Sequence, residues 1–431
     1  MTKIAIVGAG SLVFTRALVG DLLQQEATAD AEIHLVDIDD RRLGDAVKAV
    51  EAIAMASGRT VPIVASTDCA EAVRGCDYVV NTVQVGGKKA TVVDFDIPEK
   101  FGVRQTIADT HGIGGISRAL RTLPAVLEIT STVADHAPDA YLLNYTNPMA
   151  MVVMGIERTG FPHYVGLCHG TEHTAADIAS YLDLDQTEQL TWQAAGINHM
   201  TWFLRLDVHG EDMYPRLREF AGTVDVKQHP DGIRLELLRR FGYFVSESSV
   251  HNAEYYPWFL RQGAEGETHG VRVREYLYRL DDLEQQFEAE SVALTGAGRS
   301  SLPPQSTEYA PRVIAALESG ASYRFMGNVV NSGEVISNLP DDSCVEVPCF
   351  VDGGSIIAGS VGRLPEQCAA LNRCQVNVQL LTVAGILDRS RDTIYQAAFL
   401  DPLLSSQLTL DEITNLVDEL IAAHGNPSGL R

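Results

Sequence analysis

Cys168, in the run Gly166-Leu-Cys-His-Gly170, and His199, in Gly196-Ile-Asn-His199, are two side chains whose types fit each other chemically. A soft thiolate and an imidazole brought to one place suit a divalent transition metal. Taken singly, each reads more simply as a buried cysteine or a core histidine. Upstream, Ile107-Ala-Asp-Thr-His-Gly-Ile-Gly-Gly115 forms a glycine-rich loop that carries Asp109 and His111. A carboxylate on such a loop is suited to catalysis, and equally suited to capping the turn that follows. Asn147, in Tyr145-Thr-Asn-Pro-Met149, precedes a proline that holds it in extended geometry, where its amide can reach ligand hydroxyls.

These residues need a scaffold, and the N-terminal third supplies one. Lys3–Val7 is a short apolar run, followed by Gly8-Ala-Gly-Ser11 and a helical pattern from Leu12 to Leu23. Strand, glycine turn and helix open a dinucleotide-binding fold, in which Gly8, Gly10 and Ser11 approach a pyrophosphate at the helix N-terminus. No third glycine completes the fingerprint. A second strand, Glu32–Asp37, ends in an acid placed to accept hydrogen bonds from an adenosine ribose, which favours NAD, although Arg41 and Arg42 lie close by.

Alternation then continues through a helix at Leu43–Ser57, a strand at Val61–Ser66, a helix at Ala70–Arg74 and a strand at Tyr78–Val83. This is the rhythm of a parallel sheet. Its small-residue loop Asn81–Gly87 assigns Asn81 to the cofactor. Few regular signals cover Asp94–Gly115, and a helix is expected from Ile116 to Ala134. Strands at Ala140–Asn144 and Tyr164–Leu167 follow, the latter closing the sheet and delivering Cys168 and His169.

Past residue 190 the pattern changes to antiparallel strands at Glu188–Ala195 and Thr201–Val208, with helices near Ile233–Phe241, Arg272–Glu288, Tyr309–Glu318 and Glu366–Asp388. The reading is an α/β protein. Residues 1–190 form a Rossmann-like NAD-binding domain with a parallel sheet, and residues 191–431 an α+β domain for substrate, metal and oligomerisation.

A formal charge of −24 over 431 residues disfavours nucleic acid and anionic membrane surfaces. No apolar run reaches bilayer length, and MTKIAIVGAG lacks the apolar core of a signal peptide. Seven cysteines without a close CxxC pair point to a reducing cytoplasm.

Assembled in order, the blocks IAIVGAGSLVFTRALVGDLL, FDIPEKFGVRQTIADTHGIGG, NYTNPMAM, GLCHG, GINHMTWFL and ESSVHNAEYYPWF resemble those of glycoside hydrolase family four, the NAD- and manganese-dependent glycosidases. The likeness is nearest to the α-galactosidase and α-glucosidase branch. It implies a lactate/malate dehydrogenase-like fold, NAD and Mn2+ or another divalent metal, and a small glycoside substrate. It also implies a mechanism: NAD oxidises C3 of the sugar, a base takes the C2 proton, the C1 substituent is eliminated, water adds, and hydride returns.

Residue by residue, the resemblance makes Cys168 and His199 the metal ligands. Asn147 becomes an amide on sugar and cofactor, and Asp109 a carboxylate near the leaving group. His169 is a candidate acid because an imidazole titrates near neutrality. Tyr255 is chosen as the base from Glu254-Tyr255-Tyr256, with its pKa lowered by the metal's field. Glu254 and His111 are assigned to the substrate pocket. Arg104, Arg118 and Arg121 suit an acidic glycone, a glucuronide, galacturonide or sulfoquinovoside, as well as they suit structural ion pairs. The competing readings are a 2-hydroxy-acid dehydrogenase and a non-catalytic NAD-sensing protein. The expected assembly is a homodimer or homotetramer.

Overall fold

The computed structural model describes residues 1–185, 188–261, 269–295 and 302–431. Six parallel strands, β1 (Lys3–Val7), β2 (Glu32–Val36), β3 (Ile63–Ser66), β4 (Tyr78–Asn81), β5 (Tyr141–Asn144) and β6 (Tyr164–Leu167), lie in the order β3-β2-β1-β4-β5-β6. Helices cover both faces, so the central strands are buried without alternation: Ile4, Ala5 and Ile6 are all fully buried.

The sheet does not close at β6. A second set follows: β7 (Thr191–Ile197), β8 (Met200–Val208), β9 (Glu211–Asp212), β10 (Phe244–Val245), β11 (Tyr323–Val330), β12 (Cys344–Asp352) and β13 (Ser355–Ala358). Strand β11 pairs antiparallel with β6 through Gly327↔Leu167 and Asn328↔Gly166, and the sheet runs on through β12, β7, β8 and β10. Glycine makes this junction possible. A Cβ on Gly166 would sit 2.5 Å from Met149 Sδ and 2.9 Å from Asn328 Cβ. The loop after β6 therefore lies beside the β7–β8 turn, and Cys168 is brought to His199.

Two helices occupy the stretch that shows few regular signals, because glycine and proline in it read as breakers. The helix Gly87–Lys100 contains Pro98 near its end. Proline there cannot donate to the carbonyl of Asp94, and the Gln105 side chain donates to that oxygen instead at 2.8 Å. The next helix begins at Gly112 and runs to His136. Its early glycines are set by close approach, since a Cβ on Gly114 would overlap Ala108 and one on Gly115 would lie 2.5 Å from the Thr110 carbonyl oxygen. The loop bearing Asp109 is thereby packed directly onto the helix that follows it.

Among the described residues no helix is long and apolar enough to cross a membrane. The helix Glu275–Thr295 lies across the first part of the sheet, with Arg41 paired to Glu288 at 2.7 Å and Arg42 stacked on the Phe287 ring at 4.5 Å.

Glycine is optional where nothing crowds it. Gly44, inside the helix Asp40–Ser57, has no atom within 4 Å of a built Cβ. Gly44→Ala is therefore expected to raise stability by roughly 0.5–1 kcal/mol, and Gly114→Ala to lower it by about 1–3 kcal/mol. Urea unfolding midpoints check both, and equal responses would contradict this account of the Gly112–His136 start.

Candidate functional site

The carboxyl ends of β1, β2 and β4 open into a cleft of about 710 Å³, lined by Gly8, Gly10, Ser11, Asp37 and Thr82, with Phe287 covering one side. Gly8 has φ +93°, and its Cβ would lie 2.9 Å from Thr82 Oγ1. Asp37 Oδ2 accepts the Gly10 N–H at 2.8 Å, so the acid at the end of β2 is braced against the glycine turn with its other oxygen bonded to the Asp39 N–H at 3.0 Å. Four of the five expected cofactor residues meet here. Asn81 does not: it is fully buried at the end of β4, and its amide donates to Asn144 Oδ1 at 2.8 Å.

Beyond this cleft, at the end of β6, lies a second cluster. Cys168, His199 and Glu247 each offer one ligand atom within 4.8 Å of the others'. Two of the three sit on strained backbone, with His199 at φ +62° in the β7–β8 turn and Glu247 at φ +64° just after β10. Such conformations persist only where the surroundings enforce them. Gly170 helps, because a Cβ there would overlap the Glu247 carboxylate.

The hydrogen bonds around His199 assign its tautomer. Thr110 Oγ1 donates to Asp109 Oδ1 at 2.7 Å and lies 3.0 Å from His199 Nδ1, so the hydroxyl oxygen accepts Nδ1–H. Nε2 is then left with its lone pair, 3.8 Å from the Glu247 carboxylate. A lone pair, a carboxylate and a thiol converge, which is a donor set that fits a cation once the thiol gives up its proton. Burial, then the carboxylates of Glu346 and Glu247, hold the Cys168 thiol well above its usual range. Only added positive charge would turn it into a thiolate. Burial alone would raise Glu247, but the imidazoles of His251, His199 and His169 outweigh it and bring the carboxyl down to about 2.

The remaining expected residues separate into two groups. Tyr255 is almost fully buried, with its hydroxyl 3.2 Å from His199 Nδ1. Burial, followed by the charges of Asp109, Glu254 and Glu247, pushes its phenol up. Asp109 Oδ2 accepts from the Asn147 amide at 3.3 Å. Burial is opposed by Arg118, His251 and His199, so its carboxyl stays below the usual range and is ionised at neutral pH. His169 pairs through Nδ1 with Glu308 at 2.9 Å. Burial lowers that imidazole, but Glu308 and Glu247 together outweigh it and hold it above its usual range. Tyr255, Asp109 and Cys168 thus meet around His199, with Asn147 bonded to Asp109, while His169 follows Cys168 in the chain and turns to Glu308.

Glu254 and His111 lie behind that surface. The Glu254 carboxylate accepts the N–H groups of Thr106, Ile107 and Ala108 at 2.7, 3.0 and 2.8 Å. Burial lifts its carboxyl to about 7 against the pull of those donors. His111 Nε2–H donates to the Asn198 carbonyl at 2.9 Å, and its Nδ1 accepts from Gln379 at 3.1 Å. Both nitrogens are satisfied inside the protein, so the ring packs edge-on against Tyr255, 4.4 Å between centroids. Arg121 is likewise structural, bonded to Asp94, while Arg118 donates to the Asn147 carbonyl at 3.2 Å and has a buried Nη1 with no partner. Sequence reasoning passed over Glu247, His251 and Glu308. The first two stand in the block ESSVHNAEYYPWF, but which of its acids turns inward depends on the left-handed residue 247.

The family 4 glycosyl hydrolase model matches residues 3–184, and that of the family's C-terminal domain matches residues 194–404. The chain belongs to the family 4 glycosyl hydrolases. Among members of this family, an α-galactosidase of Bacillus subtilis (strain 168) is 39% identical over 429 residues, 99% of each chain. An α-galactosidase of Rhizobium meliloti (strain 1021) is 35% identical over 98% of this chain and 88% of its own. A solved 6-phospho-α-glucosidase from gut microorganisms, in complex with NAD and Mn2+, superposes over the whole of both chains with a TM-score of 0.84 at 21% identity. A malate dehydrogenase from Cryptosporidium parvum does so with a TM-score of 0.52 at 14% identity, over 90% of this chain and 99% of that one. The dehydrogenase-like, Rossmann-containing fold expected for the family is therefore the one this chain adopts.

His111 makes a pH prediction. Burial pushes it down to about 3. The unfolded chain, with an ordinary imidazole near 6.5, then binds the extra proton, so His111 contributes stability that is present above about pH 6.5 and lost as pH falls toward the folded value. His111→Gln is expected to lose stability less steeply than wild type between about pH 6.5 and 4. Parallel urea-midpoint profiles for the two proteins would contradict the assignment.

Proposed function

We propose that this family 4 glycosyl hydrolase is an α-galactosidase working with NAD and a divalent cation, Mn2+ by analogy with the complex above. The observation that carries the reading is the placement of the Cys168, His199 and Glu247 donors beside Asn147 and Asp109, next to the dinucleotide cleft. Gly8, Gly10, Ser11 and Asp37 would hold NAD, which supplies a reversible hydride acceptor for the sugar's C3. Cys168 and His199 would hold the cation, which supplies Lewis acidity toward the C2 and C3 oxygens.

The chain's own side chains do the rest. Asn147 donates to a sugar hydroxyl while its carbonyl is fixed by Arg118. Asp109, kept ionised by Arg118, accepts from sugar hydroxyls and is not a proton donor at neutral pH. The acid is His169: Glu308 holds its Nδ1–H and keeps the imidazole protonated, which leaves Nε2–H for the leaving oxygen. Tyr255 takes the C2 proton, helped by positive charge at the neighbouring cluster that counters the upward pull of burial.

A neutral glycone is supported by charge. Asp109, Glu247, Glu308 and Glu346 crowd this site, and the guanidinium of Arg118 is already matched by Asp109. A sugar carboxylate would meet net repulsion. The enzyme is further proposed to act as a homodimer or homotetramer in a reducing cytoplasm, a compartment that suits seven free cysteines.

The test is release of nitrophenol from the α-galactoside, α-glucoside and α-galacturonide, with NAD, Mn2+ and thiol each omitted in turn, in wild type and Cys168→Ser. Galactoside turnover that needs all three additions, and falls at least ~1000-fold in the variant while NAD affinity is kept, is expected. Stoichiometric NADH without nitrophenol, or full activity in the variant, would overturn the reading.

A further inference from the structure

Glu254 precedes Tyr255 at the end of the helix Ser249–Tyr255, and the two side chains leave the helix in different directions. One reaches the His199 ring, and the other meets the loop that carries Asp109. Three consecutive backbone N–H groups, those of Thr106, Ile107 and Ala108, converge on the Glu254 carboxylate, and the Thr106 hydroxyl approaches it at 3.2 Å. This is an anion cradle occupied by a side chain of the protein itself. The loop needs one, because Ala108 is held at φ +56° and is pressed against Gly114. Immediately after this strained residue come Asp109 and Thr110, which make the contacts to Asn147 and to His199 Nδ1.

We propose that Glu254 is a positioning residue: by clamping residues 106–108 it fixes Asp109 and Thr110 relative to Tyr255, so one helix end sets both sides of the reacting volume. The proposal rests on the reading of Tyr255, Asp109 and His199 as the reacting groups. Without the carboxylate, three buried N–H groups lose their acceptor, and Ala108 loses what holds it in the left-handed region. The loop then has no reason to keep Thr110 under His199. The tautomer that exposes the Nε2 lone pair, and the 3.2 Å approach of the Tyr255 hydroxyl to the same ring, both depend on that contact.

The test is Glu254→Gln in the full-length enzyme with NAD and Mn2+, at about pH 8 so that the wild-type carboxyl is ionised. The amide group of glutamine would face backbone donors. Amide hydrogen exchange at residues 106–109 is expected to accelerate by at least ~10-fold, with kcat down about 100-fold while KM, NAD affinity and the thermal midpoint stay close to wild type. Unchanged exchange would remove the clamp. Faster exchange with unchanged kcat, or a proportional loss of KM, NAD affinity and thermal midpoint together, would remove the positioning role. Should the glutamine variant not fold, Glu254→Asp, which keeps the charge and withdraws it by one methylene, is read by the same measurements. A wild type without glycoside turnover would instead sink the α-galactosidase reading, whatever the exchange rates show.

Discussion

Three possible ligand groups are held together within 4.8 Å and mostly out of water: the thiol of Cys168, the Nε2 of His199 and the carboxylate of Glu247. Burying such groups together without a compensating cation costs free energy, and the surrounding fold has to supply it. The means are visible. Left-handed backbone at His199 and Glu247, a glycine at 170 that leaves room for a carboxylate, and the junction of β6 with β11 all act to keep these three groups in place. A donor set that the fold holds in place in this way is pre-organised for a cation.

The same junction links the two chemistries. The parallel strands end in a dinucleotide cleft, the antiparallel strands deliver His199 and, through β10, Glu247, and the continuous sheet brings the cation donors and the cofactor cleft to one edge. Hydride transfer and Lewis-acid stabilisation at adjacent sugar carbons require that adjacency. Asn147 and Asp109, bonded to one another, lie between the two.

What could be read from sequence followed from how local each feature is. The β1 turn, Asp37 and the alternating first strands depend on neighbours within a few residues, and they form where the pattern places them. Cys168 and His199 stand out through their residue types and the blocks GLCHG and GINH that carry the family resemblance, and the structure brings the two within 4.8 Å of each other. Glu247 was not, since its inward direction depends on a positive φ and on the pairing of β10 with β8. Asn81, His111 and Glu254 show the reverse case, residues whose hydrogen-bond partners lie within the protein. Polar residues beside glycine loops resemble ligand contacts, yet the Asn81 amide donates to Asn144, His111 is bonded to Asn198 and Gln379, and Glu254 to the backbone of 106–108. Sequence cannot tell a polar group that faces ligand from one that satisfies the loop behind it. The helix Gly87–Lys100 was missed, and the helix expected from Ile116 starts a turn earlier, at Gly112, for a related reason. Their proline and glycines are tolerated only because a side chain, Gln105, and close packing against Ala108 and Thr110 compensate for them.

The central claim is that the glycosidic bond is broken through loss of the C2 proton to a base on this chain. Turnover in D2O tests it most directly, with the released sugar analysed by NMR. The account predicts that sugar formed by the enzyme carries deuterium at C2, and that sugar incubated without NAD does not. Complete hydrolysis with C2 still fully protonated would contradict it, since direct displacement at C1 never breaks that bond.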